Sequence, residues 1–217
     1  MAFTREISVR CSSCGNTHTV ETYGSINVSE DPSLKEKVKD GSLFVWECPH
    51  CGQLNLAKYT TLYHDPDNKL MIWLLPTGSS LDTGTESKMI SAAEELDDYT
   101  LRRVDDIGSL IEKVNIFDAG LDDLVIEMCK YVTKMELVEK TPQKKEAIFS
   151  APFKFYRIGG ADNEITLSFP LEGNMHGINI GFNVYEDCSG ILRRNPSICA
   201  EKGFARIDAD WLSKFFR

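Results

Sequence analysis

Two short cysteine turns constrain this chain more than any other feature: Cys11-Ser-Ser-Cys14-Gly15 and Cys48-Pro-His-Cys51-Gly52, with 33 residues between Cys14 and Cys48. Two residues between paired cysteines let one tight turn aim both sulfurs at a single point. Four such sulfurs suit a tetrahedral soft cation at metal–sulfur distances of about 2.3 Å. The glycine after each pair can take positive φ, so the chain leaves the turn without a Cβ clash. Pro49 fixes φ just after Cys48 and suits a turn start. Amides in such turns are expected to point back toward the sulfurs and ease the crowding of anionic thiolates.

β-prone stretches flank both turns. Ile7–Arg10 enters the first and His18–Tyr23 leaves it; Leu43–Glu47 enters the second and Leu54–Tyr59 leaves it. Two knuckle-tipped antiparallel hairpins closing on one ion make a zinc ribbon, with Cys11, Cys14, Cys48 and Cys51 as ligands. His18 and His50 lie beside or inside the knuckles and are expected to be bystanders once four thiolates are present. A redox dithiol needs one Cys-x-x-Cys at a strand-to-helix turn in a βαβ setting, which two matched pairs do not resemble. Structural disulfides are rare in chains without an export signal. A rubredoxin-type iron site uses the same four thiolates and similar knuckles, so iron stays open on ligand grounds. Zinc is the expected ion, because rubredoxins are short and complete in themselves, whereas here a helical insert and a long extension accompany the knuckles.

At 217 residues, with 42% hydrophobic and 26% charged side chains, the chain has room for one large or two modest soluble domains. Its start is charged and carries no apolar export core, and its longest apolar run, Leu70–Leu75, is far short of the ~20 residues a bilayer demands. A cytoplasmic protein without membrane association is expected. The net charge of −9 divides into −2 over residues 1–77, −7 over 78–148 and 0 over 149–217. Nucleic-acid binding rests on cations that neutralise phosphates. The knuckle region has no basic stripe, and Lys35, Lys37 and Lys39 alternate with Glu36 and Asp40 as on a solvated helix face.

Between the knuckles, Ser29-Glu-Asp-Pro32 opens a short helix that Gly41 closes, with Leu34 and Val38 as an apolar i, i+4 pair. Tyr59–His64 and Lys69–Leu75 flank the turn Asp65-Pro-Asp-Asn68, which predicts a hairpin extending the ribbon sheet. The expected fold class is α+β: a ribbon domain over residues 1–76, a linker over 77–85 and an α+β domain over 86–217. In that last domain, helices are expected within 86–140, mostly β structure within 146–207, and a short closing helix. Glu86–Leu96 is a helix candidate and Tyr99–Val104 a short strand. Asp105 or Asp106 caps a helix carrying Ile107, Leu110, Ile111 and Val114. A second helix from Leu121 places Leu124, Val125, Met128, Val132, Met135 and Val138 on one face, making a helical hairpin with one apolar seam. Cys129 borders that seam as a small hydrophobe. Ile148–Ile158, Glu164–Phe169, Gly177–Tyr185 and Phe204–Ile207 are expected strands, and Gly159–Asn163 a hairpin turn. Asp208 or Asp210 caps the helix through Trp211, Leu212 and Phe215.

The paired knuckles, the insert from Asp31 to Phe44, the Tyr63-His-Asp, Met71-Ile-Trp73 and Pro76 positions, and Leu110–Asp123 together resemble the CpXC family. The resemblance covers residues 1–140 and thins after about 150. It implies a bacterial or archaeal family with the four cysteines as metal ligands, and it supplies no catalytic residue.

Other constellations have plainer readings. Asp118, Asp122 and Asp123 surround a helix start, where carboxylates cap free amides and complement the dipole; hard-cation sites want more converging oxygens. His64, His176, Cys188 and Cys199 fit no standard ligand spacing. No nucleophile elbow or phosphate-cradling glycine run is present. Four thiolates also leave no coordination position for water or substrate, which points away from catalysis at the metal. The leading expectation is an interaction or regulatory module with a protein partner. Three alternatives stand: nucleic-acid binding through Arg5, Arg10 and Lys58, an enzyme with its site within residues 100–217, and electron transfer by iron.

Overall fold

The computed structural model describes residues 3–78, 96 and 98–216. The chain forms a mixed α+β structure in two compact units. One comprises Met1–Ile111 with Glu201–Ala205, the other Glu112–Ala200 with Arg206–Arg217. The expected helix over Glu86–Leu96 and most of the expected linker lie outside the described residues.

In the first unit, strands β1 (Phe3–Arg10) and β2 (Thr17–Asn27) pair antiparallel and carry the first knuckle between them. Helix α1 (Ser33–Lys39) follows, burying Leu34 and Val38 as their spacing requires. A single 3-10 turn, Ser42–Phe44, replaces the start of the expected strand, because Gly41 reverses the backbone at φ 79° and drives Phe44 into the core. The short strands β3 (Val45–Glu47) and β4 (Leu54–Leu56) then form the hairpin that carries the second knuckle. Strands β5 (Thr61–Asp65) and β6 (Leu70–Leu74) form the expected antiparallel hairpin.

Two joins in this unit are parallel. The far end of β2 pairs with β5, Ser25 opposite Leu62, and β7 (Thr100–Val104) pairs with β6, giving the order β1-β2-β5-β6-β7. Strand β6 is the buried centre, with Leu70, Ile72, Trp73 and Leu74 all inside. Such a run of apolar residues is what a strand covered on both faces requires. The expected strand at Phe204–Ile207 reduces to one bridge, Ala205 to Arg102, with the Phe204 ring edge-on against Trp73 at 5.4 Å.

The chain passes into the second unit within helix α2 (Ile107–Asp118), whose first turn is capped by Asp106 accepting from Ser109 N at 2.8 Å. Helix α3 (Asp123–Lys140) is capped by Asp122, accepting from Leu124 N at 2.8 Å. Helices α4 (Lys145–Ser150) and α5 (Phe182–Arg194) pack on α3, as does α6 (Ala209–Ser213), capped by Asp208. Strands β8 (Lys154–Gly159), β9 (Glu164–Leu171) and β10 (Asn174–Ile180) form an antiparallel meander.

Three expectations are corrected here. Residues Ile148–Ser150 belong to α4 rather than a strand, since Pro142 and the run of Lys, Glu and Ala before them open a helix. Residues Phe182–Tyr185 belong to α5. The alternation Ile178, Ile180, Phe182, Val184 runs across the boundary and masks it, but Gly181 stops the strand, and buried Cys188 and Leu192 have helical spacing. The seam between α2 and α3 is not purely apolar. Lys113 Nζ donates to Asp123 at 2.7 Å, and Lys130 Nζ donates to Glu112 at 3.0 Å, with all four residues buried. Met135, placed on the expected apolar face, is exposed.

Glu112 is the hub of these charges. Its carboxylate also accepts from Phe155 N at 2.8 Å and pairs with Lys154 at 3.3 Å. Burial opposes its charge, yet Lys130, Lys154, Lys113 and that amide together hold its carboxyl below the ordinary carboxylate range. A depressed folded value stabilises the protein above the unfolded carboxyl value and loses that contribution as pH falls through the folded one. Glu112→Gln, which leaves Lys130 short of a counter-charge, is expected to lower stability at neutral pH by about 3–5 kcal/mol. Urea unfolding should show the difference shrinking in acid, and Glu112→Met with Lys130→Met costing less than Glu112→Gln alone.

Candidate metal centre

Both knuckles are built by the same backbone bonds. Cys11 N donates to Asn16 O at 2.9 Å and Gly15 N to Cys11 O at 3.1 Å; Cys48 N donates to Gln53 O at 2.9 Å and Gly52 N to Cys48 O at 2.8 Å. Gly15 and Gly52 sit at φ 73° and 71°, which a side chain would strain. Each turn thus presents its two sulfurs on one side, and the hairpin strands hold it there.

The two turns meet. The four sulfurs of Cys11, Cys14, Cys48 and Cys51 all lie within 4.8 Å of one another. Cys11 Sγ is 3.6 Å from Cys51 Sγ, and Cys14 Sγ is 3.7 Å from Cys48 Sγ. A tetrahedron with metal–sulfur bonds of about 2.3 Å has sulfur–sulfur edges of about 3.8 Å. Those two separations match that edge and are far from the ~2.05 Å of a disulfide, and all four are free cysteines. The donor set therefore fits one tetrahedral thiolate-loving ion. Cys11 and Cys48 are buried, while Cys14 and Cys51 reach the surface.

The thiols do not share charge equally. The backbone N–H of Cys14, then that of Ser13, with help from the Cys51 and Asn55 side chains, outweigh burial and hold Cys11 down at about 6. At Cys51 the Gln53 backbone N–H favours the thiolate, but burial and the thiols of Cys11, Cys14 and Cys48 push it up to about 11. Turn amides do aim at sulfur, and like groups crowded together resist full ionisation until a cation arrives.

Around the sulfurs the sequence reading needs additions. His18 Nε2 lies 3.4 Å from Cys48 Sγ, and its ring is tilted against Trp46 at 5.9 Å. It touches a sulfur but is not one of the clustered ligands. His50 is exposed in its turn. Asn55 escaped the sequence reading altogether. Its Oδ1 accepts from Ser12 N at 2.9 Å and Ser12 Oγ at 2.8 Å, and its Nδ2 reaches Cys11 Sγ at 3.6 Å and Gln53 O at 2.8 Å. The one signal for it is spacing: Asn55 follows Cys51 at the interval by which His18 follows Cys14.

The remaining candidates are not gathered into a site. His64 bonds Tyr99 OH at 3.3 Å, His176 stacks on Phe169 at 5.7 Å, Cys188 is buried and Cys199 exposed. Among the described residues, no other group of three or more His, Cys, Asp or Glu side chains converges as metal ligands do. Asp122 is a helix cap, and Asp123 is fully buried against Lys113. Lys39 pairs with Glu36 at 3.7 Å, as on a solvated helix face, but Lys35 turns off that face to pair with buried Asp65 of β5 at 3.3 Å. Arg5 Nη2 donates to Thr60 O at 2.9 Å and Arg10 Nε to Gly15 O at 3.0 Å, so both guanidinium groups brace the backbone. Among the described residues, no helix is long and apolar enough to cross a membrane.

No curated protein and no solved structure matches the chain. Residues 9–130, more than half of the chain and including all four cysteines, match the family described as CpXC protein. The chain belongs to the CpXC family.

Proposed function

We propose that this chain is a cytoplasmic zinc-ribbon protein in which a structural ion fixes the knuckle hairpins and the second hairpin docks a protein partner. The observation that carries the reading is a patch on β3–β4. Val45 lies opposite Leu56 and Glu47 opposite Leu54, so these four side chains share one face, while Trp46 and Asn55 point inward. Val45 is 43% exposed, Leu54 61% and Leu56 59%. Three neighbouring aliphatic side chains left in water on a three-residue ladder gain nothing for the fold. Covering them gains about 1.5–3 kcal/mol for each that becomes fully buried.

Zinc is favoured over iron because the four thiolates serve a chain whose long extension rubredoxins lack; with either ion the closed shell leaves no position for substrate. A protein partner is favoured over nucleic acid because the ribbon region carries a net charge of −2 and its two arginines are engaged with backbone carbonyls. Glu47 on the docking face calls for a partner whose apolar contact is rimmed by basic residues.

Three measurements test this. The purified protein should be colourless and hold one zinc ion per chain. Its apparent affinity should fall as pH is lowered from about 8 to about 5, because protons compete for the thiolates. A red, iron-containing protein would overturn the zinc assignment. Leu54→Lys with Leu56→Lys should keep the metal yet lose, by tenfold or more, a partner captured by the native protein under host conditions. Retention of that partner, or capture only of nucleic acid released by about 0.5 M salt, would overturn the docking face.

A further inference from the structure

The two knuckles brace each other. Cys11, Cys14 and His18 recur, at identical intervals, as Cys48, Cys51 and Asn55. The backbone bonds that close the two turns recur in the same register, Asn16 corresponding to Gln53 and Gly15 to Gly52. His18 stands on β2, the strand leaving the first knuckle, yet reaches Cys48 of the second. Asn55 stands on β4, the strand leaving the second knuckle, yet reaches Cys11 and Ser12 of the first. The equivalent position in each hairpin therefore contacts the first sulfur of the other.

We propose that His18 and Asn55 are a matched pair of positioning residues, each donating an N–H from one hairpin to the buried sulfur of the other. Together they lock the knuckles in a metal-ready pair. The proposal rests on the reading of this site as a metal centre. Four thiolates around a dication leave net negative charge, and a coordinated thiolate has no proton to donate, so a nitrogen beside it stabilises it only as a donor. Cys14 and Cys51 are exposed and can be solvated. Cys11 and Cys48 are buried, and buried charge without a hydrogen bond is costly. The side-chain donors go to the two sulfurs that water reaches least. Asn55 also ties the first turn directly, through Ser12, to the strand of the second.

Equilibrium competition between the full chain and a chromophoric zinc chelator reads the effect. Asn55→Asp keeps the acceptor for Ser12 and removes the donor to Cys11. His18→Phe keeps a ring beside Trp46 and removes the donor to Cys48. Each should weaken zinc binding about 10–100-fold. Cobalt-loaded protein should keep the absorption of a four-sulfur tetrahedron, because no ligand is lost. His18→Asn, which restores the side chain of the equivalent position, should recover part of the affinity that His18→Phe loses. Native-like affinity in both Asn55→Asp and His18→Phe would overturn the proposal, as would a cobalt spectrum showing loss of a sulfur ligand in either. Should Asn55→Asp fail to fold, His18→Phe alone decides. Failure of the native chain itself to bind zinc or cobalt would instead overturn the metal reading on which the pair depends.

Discussion

Four sulfurs can meet at one point only if two turns, far apart in the chain, are carried to the same place and held there. That requirement organises the first unit. Strand β2 is long because it has two tasks: it pairs with β1 from Thr17 to Ser25 to hold the first knuckle, and from Ser25 to Asn27 it pairs with β5 to join the larger sheet. The insert between the knuckles is compact for the same reason. Leu34, Val38 and Phe44 bury into the core, so the helix and its following turn return the chain to the start of β3 without a loose loop. Hairpins with three-residue strands are marginal by themselves. A metal-binding free energy on the order of 10–16 kcal/mol in structural sites shows how an ion can supply what such short ladders lack.

The second unit is held by different means. Lys113, Asp123, Glu112 and Lys130 are all buried between α2 and α3, with Glu127 beside Lys130. Breaking one partner of such a network strands a charge, although replacing whole pairs by apolar groups is often neutral. The network therefore contributes geometry more than net stability: it fixes how the α2 side chains engage α3 and, through the Phe155 amide, the first strand of the meander.

How much of this was legible in the sequence follows from how local each cause is. The knuckles were legible because their chemistry is written into a spacing of four residues and a glycine. Helix starts at Asp105 or Asp106, near Leu121 and at Asp208 or Asp210 were legible to within two residues, because a cap acts within three residues; the caps are Asp106, Asp122 and Asp208. The parallel joins of β2 to β5 and β6 to β7 were not, since parallel pairing links strands that no tight turn connects. The buried charges of α2 and α3 were hidden because Glu, Lys and Asp look solvated until their partners are known. Helix α5 was hidden because an alternating apolar run crosses from β10 into its first turn. Asn55 was hidden for a related reason. A neutral amide on a short strand carries no signal until the opposite turn is seen lying against it.

Those hidden contacts bear on how the centre and the apolar face of β3–β4 are related. Asn55 sits between Leu54 and Leu56 and points the opposite way, inward to Ser12 and Cys11. On so short a strand, the orientation of one residue fixes its neighbours: while Asn55 is held inward, Leu54 and Leu56 are held outward. The same amide thereby faces the sulfurs and sets the register that exposes the leucines.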